Sequence, residues 1–199
     1  MTIASLGTKS SAWLSQLNDV LLNAHAKVDG RKAALSDAYV RIMELFLEVR
    51  SEKRRVWWVG NGGSAALCAH LSQDAFNKLG LRSQVLADAP LLTCMANDFG
   101  YPQIYARPLS VLADSGDLLI AVSSSGRSEN ILNCVKLAQG VGMRVVSVSG
   151  FSAENPLWLS QADVSLFLDS TLYGLVEVGH EALLHAPIET LWLHEQSKK

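Results

Sequence analysis

Two histidines and three carboxylates recur at helical spacing in this chain. His70 and Asp74 lie four residues apart in the segment after the first apolar run, so a helix would carry both on one face. Further along, the run EVGHEALLH places Glu177, Glu181 and His185 at successive four-residue steps, again one face of a helix. Such groups suit either a divalent metal of the zinc, iron or nickel kind or a general acid and base pair. The spacing alone leaves both alternatives open.

A run of hydroxyl side chains forms a second candidate site, in the sequence AVSSSGRSENI. Ser123, Ser124, Ser125 and Ser128 surround one glycine between an apolar run and a helical run. At a strand-to-helix turn, backbone N–H groups and hydroxyls can wrap a phosphate without any cation. A single serine would suit a helix cap, whereas four in six residues favour an anion site.

A glycine turn, GNGGS at 60–64, follows the first apolar run and offers Asn61, Gly62, Gly63 and Ser64 to an anion. It matches neither the G-x-G-x-x-G dinucleotide fingerprint nor the phosphate loop that ends in Gly-Lys. Taken alone, the turn is as compatible with a structural role as with an oxyanion site.

Short apolar runs that alternate with helical stretches must position these groups. They lie at 56–60, 83–87, 117–123, 144–150 and 162–168. Continuous apolar runs are typical of strands buried on both faces, and intervening helices imply parallel crossovers. The sequence therefore predicts an α/β fold with a doubly wound five-stranded parallel sheet flanked by helices.

Three further helices are predicted from apolar periodicity. The first runs from Ser10 to about Ala26 and the second from Arg31 to about Lys53, which makes an N-terminal helical hairpin. The second carries an apolar stripe wider than one sheet requires, which indicates packing on another subunit. A last helix, from about Tyr173 to Gln196, contains Pro187, which should kink or divide it.

Composition limits the classes of protein. With 199 residues, 49% of them hydrophobic, we expect a single domain, made of N-terminal helices over 1–54 and an α/β core over 55–199. A net charge of −2 gives no basic field, so we expect no direct nucleic-acid partner. Three scattered cysteines indicate a reducing compartment. Without a signal peptide or a membrane-length apolar run, the sequence predicts a cytoplasmic protein with no membrane partner.

Four segments together resemble the sugar isomerase (SIS) domain in its phosphoheptose isomerase branch. They are VGNGGSAALCAH, CMANDFGYPQIYARPL, GDLLIAVSSSGRSENIL and GMRVVSVSG, followed by a final helix bearing Glu177 and His185. The resemblance implies a flavodoxin-like fold and a homotetramer whose active sites lie between subunits. It also implies that the substrate is a phosphosugar: the enzyme would convert sedoheptulose 7-phosphate to D-glycero-D-manno-heptose 7-phosphate for lipopolysaccharide or capsule sugars.

Residue roles follow from the same resemblance. Ser64, Ser123, Ser125 and Ser128 match the phosphate-binding serines, Ser124 stands where the family usually has threonine, and Asn97 and Asp98 match a segment that approaches the sugar. The implied cofactor is a divalent metal, zinc first among the candidates, with the ligands His70, Asp74, Glu177 and His185.

Catalysis is assigned as a hypothesis. Aldose–ketose isomerisation needs a base, an acid and a group that holds the enediolate oxygens. We assign the base to Asp74 and the acid to His185. Because one group cannot readily be both ligand and base, Glu177 or Glu181 remains an alternative for proton transfer.

The sequence departs from the family pattern in four places. Asp74 replaces a glutamate, Glu177 replaces a glutamine, Lys78 replaces an arginine, and YGLVE stands where the family has Asp-x-x-Gln. Two other functions therefore stay open. One is a non-catalytic SIS protein that binds a sugar phosphate or a partner such as a replication initiator; the other is an isomerase of another phosphosugar.

Overall fold

Helices and strands alternate along most of the chain in a computed structural model that describes residues 3–198. The elements in chain order are α1 (Ile3–Leu22), β1 (His25–Val28), β2 (Arg31–Ala33), α2 (Leu35–Ser51), β3 (Arg55–Val59), α3 (Gly63–Leu79), β4 (Arg82–Val85), α4 (Ala89–Phe99), α5 (Ala106–Leu112), β5 (Leu118–Ser123), α6 (Glu129–Val141), β6 (Arg144–Gly150), β7 (Val164–Leu168) and α7 (Tyr173–Gln196).

One sheet organises these elements, with the strand order β2-β1-β7-β6-β5-β3-β4. Strands β4, β3, β5, β6 and β7 pair in parallel, and their order is the 2-1-3-4-5 order of flavodoxin-like folds. The predicted doubly wound parallel sheet is therefore confirmed. The direction of winding reverses between β3 and β5, so a crevice opens beyond the carboxyl ends of these two strands.

Each central strand is buried on both faces. Along β3, Val56 and Trp58 pack in one apolar cluster with residues of α2, α3 and α7, whereas Trp57 and Val59 pack in a second cluster with residues of α5 and α6. Successive side chains of a strand point to opposite faces, so the continuous apolar run supplies both clusters.

The N-terminal helical hairpin was predicted wrongly between residues 23 and 34. This segment forms the antiparallel hairpin of β1 and β2, and β1 also pairs antiparallel with β7, which extends the sheet to seven strands. Asp29 (φ 49°) and Gly30 (φ 75°) form its two-residue turn. Asp-Gly is a strong sequence signal for such a turn, because both central residues need positive φ. The first helix also begins earlier than predicted, at Ile3.

The last helix has the predicted bounds, and Pro187 lies within it without dividing it. None of the helices described over residues 3–198 combines the length and the apolar character needed to cross a bilayer.

Candidate functional site

A cavity of about 260 Å³ lies where the winding of the sheet reverses, between the β3–α3 turn and the β5–α6 loop. All eight residues predicted from these two loops line it: Asn61, Gly62, Gly63, Ser64, Ser123, Ser124, Ser125 and Ser128. Gly62 precedes the first turn of α3 and Ser128 precedes the first turn of α6. Two helix N-termini therefore meet at the cavity, and their free N–H groups and partial positive charge suit an anion.

A hydrogen bond within the serine loop and close packing against Asn155 hold the loop in its conformation. Ser123 Oγ donates to Ser128 Oγ across the loop at 3.1 Å. Gly126 has a φ of +61°, and a Cβ there would collide with the side-chain amide of Asn155. Asn155 is fully buried; its Nδ2 donates to backbone carbonyls of residues 150 and 152, and its Oδ1 accepts from Trp158 N. Sequence reasoning missed Asn155, because it belongs to no motif and lies far from the loop along the chain.

The glycine turn is joined to the first turn of α6 by a pair of side-chain amides. Asn61 and Asn130 exchange two hydrogen bonds of 2.9 and 2.8 Å, and the Tyr101 hydroxyl donates to Asn61 Oδ1 at 3.2 Å. Asn97 and Asp98 were predicted to bind the sugar. They are exposed on the last turn of α4, bond to each other at 2.8 Å and do not line the cavity, so their role stays a prediction.

Helices α3 and α7 run side by side, and residues of their facing stripes contact each other in four pairs, three of them between polar side chains. Glu177 meets Gly63, Glu181 meets His70, His185 meets Asp74, and Glu189 meets Lys78. The paired positions are four residues apart along α7, and seven, four and four residues apart along α3, so they stay on one stripe of each helix. We call this row of four pairs the α3–α7 ladder.

The middle of the ladder contains the two predicted histidines. His70 Nδ1 lies 2.8 Å from Glu181 Oε1, which lies 3.9 Å from His185 Nε2, and the two imidazole centroids are 5.1 Å apart. Potential ligand atoms of these three residues lie within 4.8 Å of one another. Two histidines and a carboxylate form a donor set typical of zinc, so the residues present fit a divalent ion.

The predicted base, Asp74, is engaged by a lysine. Its Oδ2 accepts from Lys78 Nζ at 3.0 Å and lies 3.7 Å from His185 Nδ1, and Lys78 also pairs with Glu189. Asp74 is buried, with 8% of its surface exposed. Hydrogen bonds to Glu189 and Asp74 raise the pKa of Lys78, so its ammonium stays charged. Sequence reasoning missed Glu189, although the four-residue step from His185 reaches it.

Glu177 lies at the amino end of the ladder rather than with the histidines. A Cβ on Gly63 would lie 2.8 Å from the Glu177 carboxylate, so this carboxylate covers the first turn of α3. Only glycine leaves it that room. Among the described residues, Glu177 belongs to neither group whose ligand atoms lie within 4.8 Å of one another. Its predicted role as a metal ligand stays a prediction.

His180 faces the sheet and not the ladder. It is completely buried, and its Nε2 donates to the Ser149 carbonyl at 3.0 Å. Burial lowers the pKa of His180 to about 4, so the ring is neutral at physiological pH.

The sequence of the chain also matches a known protein family. The model of the SIS domain matches residues 23–150, more than half of the sequence, and the chain therefore belongs to the SIS domain family.

Proteins of that family that are similar to this chain include phosphoheptose isomerases from several bacteria. A phosphoheptose isomerase from Bradyrhizobium sp. (strain BTAi1) is 31% identical over 180 residues, which cover 86% of this chain and 89% of that protein. One from Geotalea uraniireducens is 28% identical over 171 residues, or 82% of this chain and 89% of that protein. The phosphoheptose isomerase structure from Neisseria gonorrhoeae superposes with a TM-score of 0.81 over 95% of this chain and 98% of its own, at 24% identity. The resemblance found in the sequence is confirmed.

Proposed function

We propose that this chain is a phosphosugar isomerase that interconverts sedoheptulose 7-phosphate and D-glycero-D-manno-heptose 7-phosphate. One observation carries the proposal beyond family membership. Gly63 and Glu177 line both the serine cavity and the neighbouring groove that contains His70 and Glu181. A phosphate anchored among the serines would therefore leave the sugar carbons facing the ladder.

Phosphate binding is assigned to the two loops. Ser64, Ser123 and Ser124 are almost fully buried, and the half-buried Ser125 and Ser128 complete the hydroxyl lining. Preorganised hydroxyl and N–H donors need little reorientation when the anion arrives, so the site gains affinity and fixes the substrate's position.

Proton transfer is assigned to Asp74 and His185, which lie 3.7 Å apart. The Asp74 carboxylate takes the proton from the carbon next to the carbonyl, and the electron pair of that C–H bond moves to form an enediolate. His185 donates a proton to the oxygen of that carbonyl and takes one back from the hydroxyl on the carbon that was deprotonated. Asp74 returns its proton to the former carbonyl carbon, which completes the isomerisation.

The implied cofactor is a divalent metal, zinc in the first place, for which His70 and His185 would supply the nitrogen ligands. When bound, such an ion polarises the substrate oxygens as a Lewis acid. The chain's own contribution is to orient the two histidines. Glu181 contacts His70, and Asp74 contacts His185.

The test is an isomerase assay on sedoheptulose 7-phosphate together with a panel of pentose and hexose phosphates, with and without added Zn²⁺. We expect turnover of the heptose phosphate, which Asp74→Asn and His185→Ala each abolish while phosphosugar binding by calorimetry persists. His194→Ala, at an exposed histidine of the same helix, is the matched control. An unimpaired rate in either site variant would contradict the assigned roles.

A non-catalytic sugar-phosphate binder is the second candidate function. The ion pair between Asp74 and Lys78 favours it, because a base already paired with a cation is less available to a substrate proton. Stoichiometric binding of phosphosugars without turnover of any of them would support the binder and overturn the isomerase.

We further propose a cytoplasmic homotetramer with active sites at subunit interfaces. In support, α1 buries none of its described residues, and Leu14 and Leu22 are 62% and 76% exposed. Apolar surface of this kind favours contact with another chain. Light scattering coupled to gel filtration measures the mass, and a monomer would contradict the assembly. The three free cysteines suit the reducing cytoplasm.

A further inference from the structure

The α3–α7 ladder contains two groups of side chains that could hold a cation. One is His70, Glu181 and His185, and the other is Asp74, His185 and Glu189. Both include His185, so the question is which carboxylate accompanies the histidines. The resemblance implied Asp74 and Glu177 as the carboxylate ligands, whereas in the structure Glu181 lies within 4 Å of both histidines.

Lys78 distinguishes the two groups. Its ammonium contacts the carboxylates of both Asp74 and Glu189, so the second group already holds a cation of its own. A divalent ion on the same Asp74 oxygen would meet like charge at short range, which is costly in a partly desolvated site. In the first group, the ion pairs of Glu181 among residues 3–198 are with the two histidines only.

We propose that the divalent ion of this protein is held by His70, Glu181 and His185, and that the pair with Lys78 keeps Asp74 out of the ligand set. The inference rests on the proposed function only in taking a divalent ion as the isomerase's cofactor.

This assignment separates two duties that one carboxylate cannot easily combine. With Glu181 as the ligand, Asp74 remains at 3.7 Å from His185 as a proton-transfer group. Asp74 is also one methylene group shorter than the glutamate of the family pattern. Glu181, on the neighbouring helix α7, has the longer side chain that Asp74 lacks. The substitution at position 74 and the acid at position 181 thus compensate each other.

Zn²⁺ titration of the metal-free full-length protein by calorimetry, in a buffer without phosphate, tests the assignment. We expect one ion per chain in the wild type. Glu181→Ala should raise the Kd by more than about 100-fold, beyond the roughly 10- to 100-fold that loss of a residue orienting a ligand costs. Asp74→Asn removes at most a residue that orients His185, so it should raise the Kd by no more than that roughly 10- to 100-fold and by less than Glu181→Ala does. Glu189→Ala, at an acid of α7 that contacts Lys78, is the matched control and should leave the Kd near the wild-type value.

Several results would overturn the proposal. It fails if Asp74→Asn weakens Zn²⁺ binding as much as Glu181→Ala does, or if the wild type binds no stoichiometric ion. It also fails if Glu181→Ala raises the Kd by less than about 100-fold, which is the size of effect expected if Glu181 only orients His70. The visible spectrum of the Co²⁺-loaded protein is a second readout, because its bands report the ligand set directly. If Glu181→Ala does not fold, the Co²⁺ spectrum of Asp74→Asn decides: unchanged bands support the proposal and altered bands overturn it.

Failure of this inference can be told from failure of the proposed function. A protein that binds Zn²⁺ through Glu181 but turns over no phosphosugar overturns the isomerase proposal alone. A protein that isomerises the heptose phosphate but loses its ion in Asp74→Asn overturns the ligand assignment alone.

Discussion

The ammonium of Lys78 lies 3.0 Å from Asp74 Oδ2 and also contacts Glu189, so one lysine pairs with an acid on its own helix and with an acid on α7. The lysine side chain is 26% exposed and the Asp74 side chain 11%. The contact therefore joins α3 to α7 at a partly desolvated position, next to the Asp74–His185 pair of the ladder.

Removing this lysine should destabilise the metal-free protein. Lys78→Met leaves Asp74 and Glu189 as neighbouring carboxylates without their cation, and we expect the free energy of unfolding to fall by about 1–2 kcal/mol, between the values for exposed and buried pairs. Urea denaturation measures it. Lys136→Met, at an exposed lysine of α6, is the control and should change stability by less than about 0.5 kcal/mol. Equal stability in the two variants would show that the pair does not hold the helices together.

The serine cavity should govern substrate affinity more than turnover. Ser64→Ala and Ser123→Ala each remove a hydroxyl that lines the cavity. A hydrogen bond to a charged group is worth about 1.5–3 kcal/mol, so each should raise KM for a phosphosugar roughly tenfold or more, with a smaller effect on kcat. Ser110→Ala, at an exposed serine of α5, should leave both constants unchanged. A fall in kcat at constant KM would place these serines at the reacting carbons.

The glycine of the serine loop should not tolerate a side chain. Gly126→Ala meets both a left-handed backbone (φ +61°) and the buried amide of Asn155, so we expect a loss of more than about 2 kcal/mol in the free energy of unfolding. Gly140→Ala is the opposite case: a Cβ there meets nothing within 4 Å inside α6, and it should be neutral or stabilising by up to about 1 kcal/mol. Thermal denaturation of the two variants checks the contrast, and a stable Gly126→Ala would refute the role of Asn155.

One cysteine of the three should react with an aromatic disulfide reagent in the folded protein. Cys68 and Cys134 are buried and Cys94 is exposed. Burial raises the pKa of both buried thiols, that of Cys134 to about 12. We expect one thiol to be titrated in native buffer and three in denaturant.

The neighbour of Cys94 should set its rate. A hydrogen bond to the Asp98 carboxylate, 3.4 Å away, raises the pKa of Cys94. Asp98→Asn removes the charge, lowers that pKa and increases the thiolate fraction at pH 8, so the reaction should accelerate. Asp88→Asn, at the other end of α4, should leave the rate unchanged. A slower Asp98→Asn reaction would contradict this cause.

Much of the fold was predictable because its signals are local. The five parallel strands and the last helix follow from apolar runs and periodicity, and the eight loop residues converge because strand ends meet at one edge of a parallel sheet. The hairpin at Asp29 and Gly30 had a local signal too, but apolar periodicity predicted one helix that ends at about Ala26 and another that begins at Arg31. Asn155 had none, since its role comes from contacts across the fold.

The sequence by itself determined which residues share a helix face: His70 with Asp74, and Glu181 with His185. Only the tertiary structure decided which of them meet across the two helices. Side-chain direction turns by about 100° per residue and one turn rises 5.4 Å, so a shift of α7 by a single turn would re-pair the whole ladder. Packing of both helices on the sheet fixes that register, and with it the contact of Glu181 with His70 and of Lys78 with Asp74.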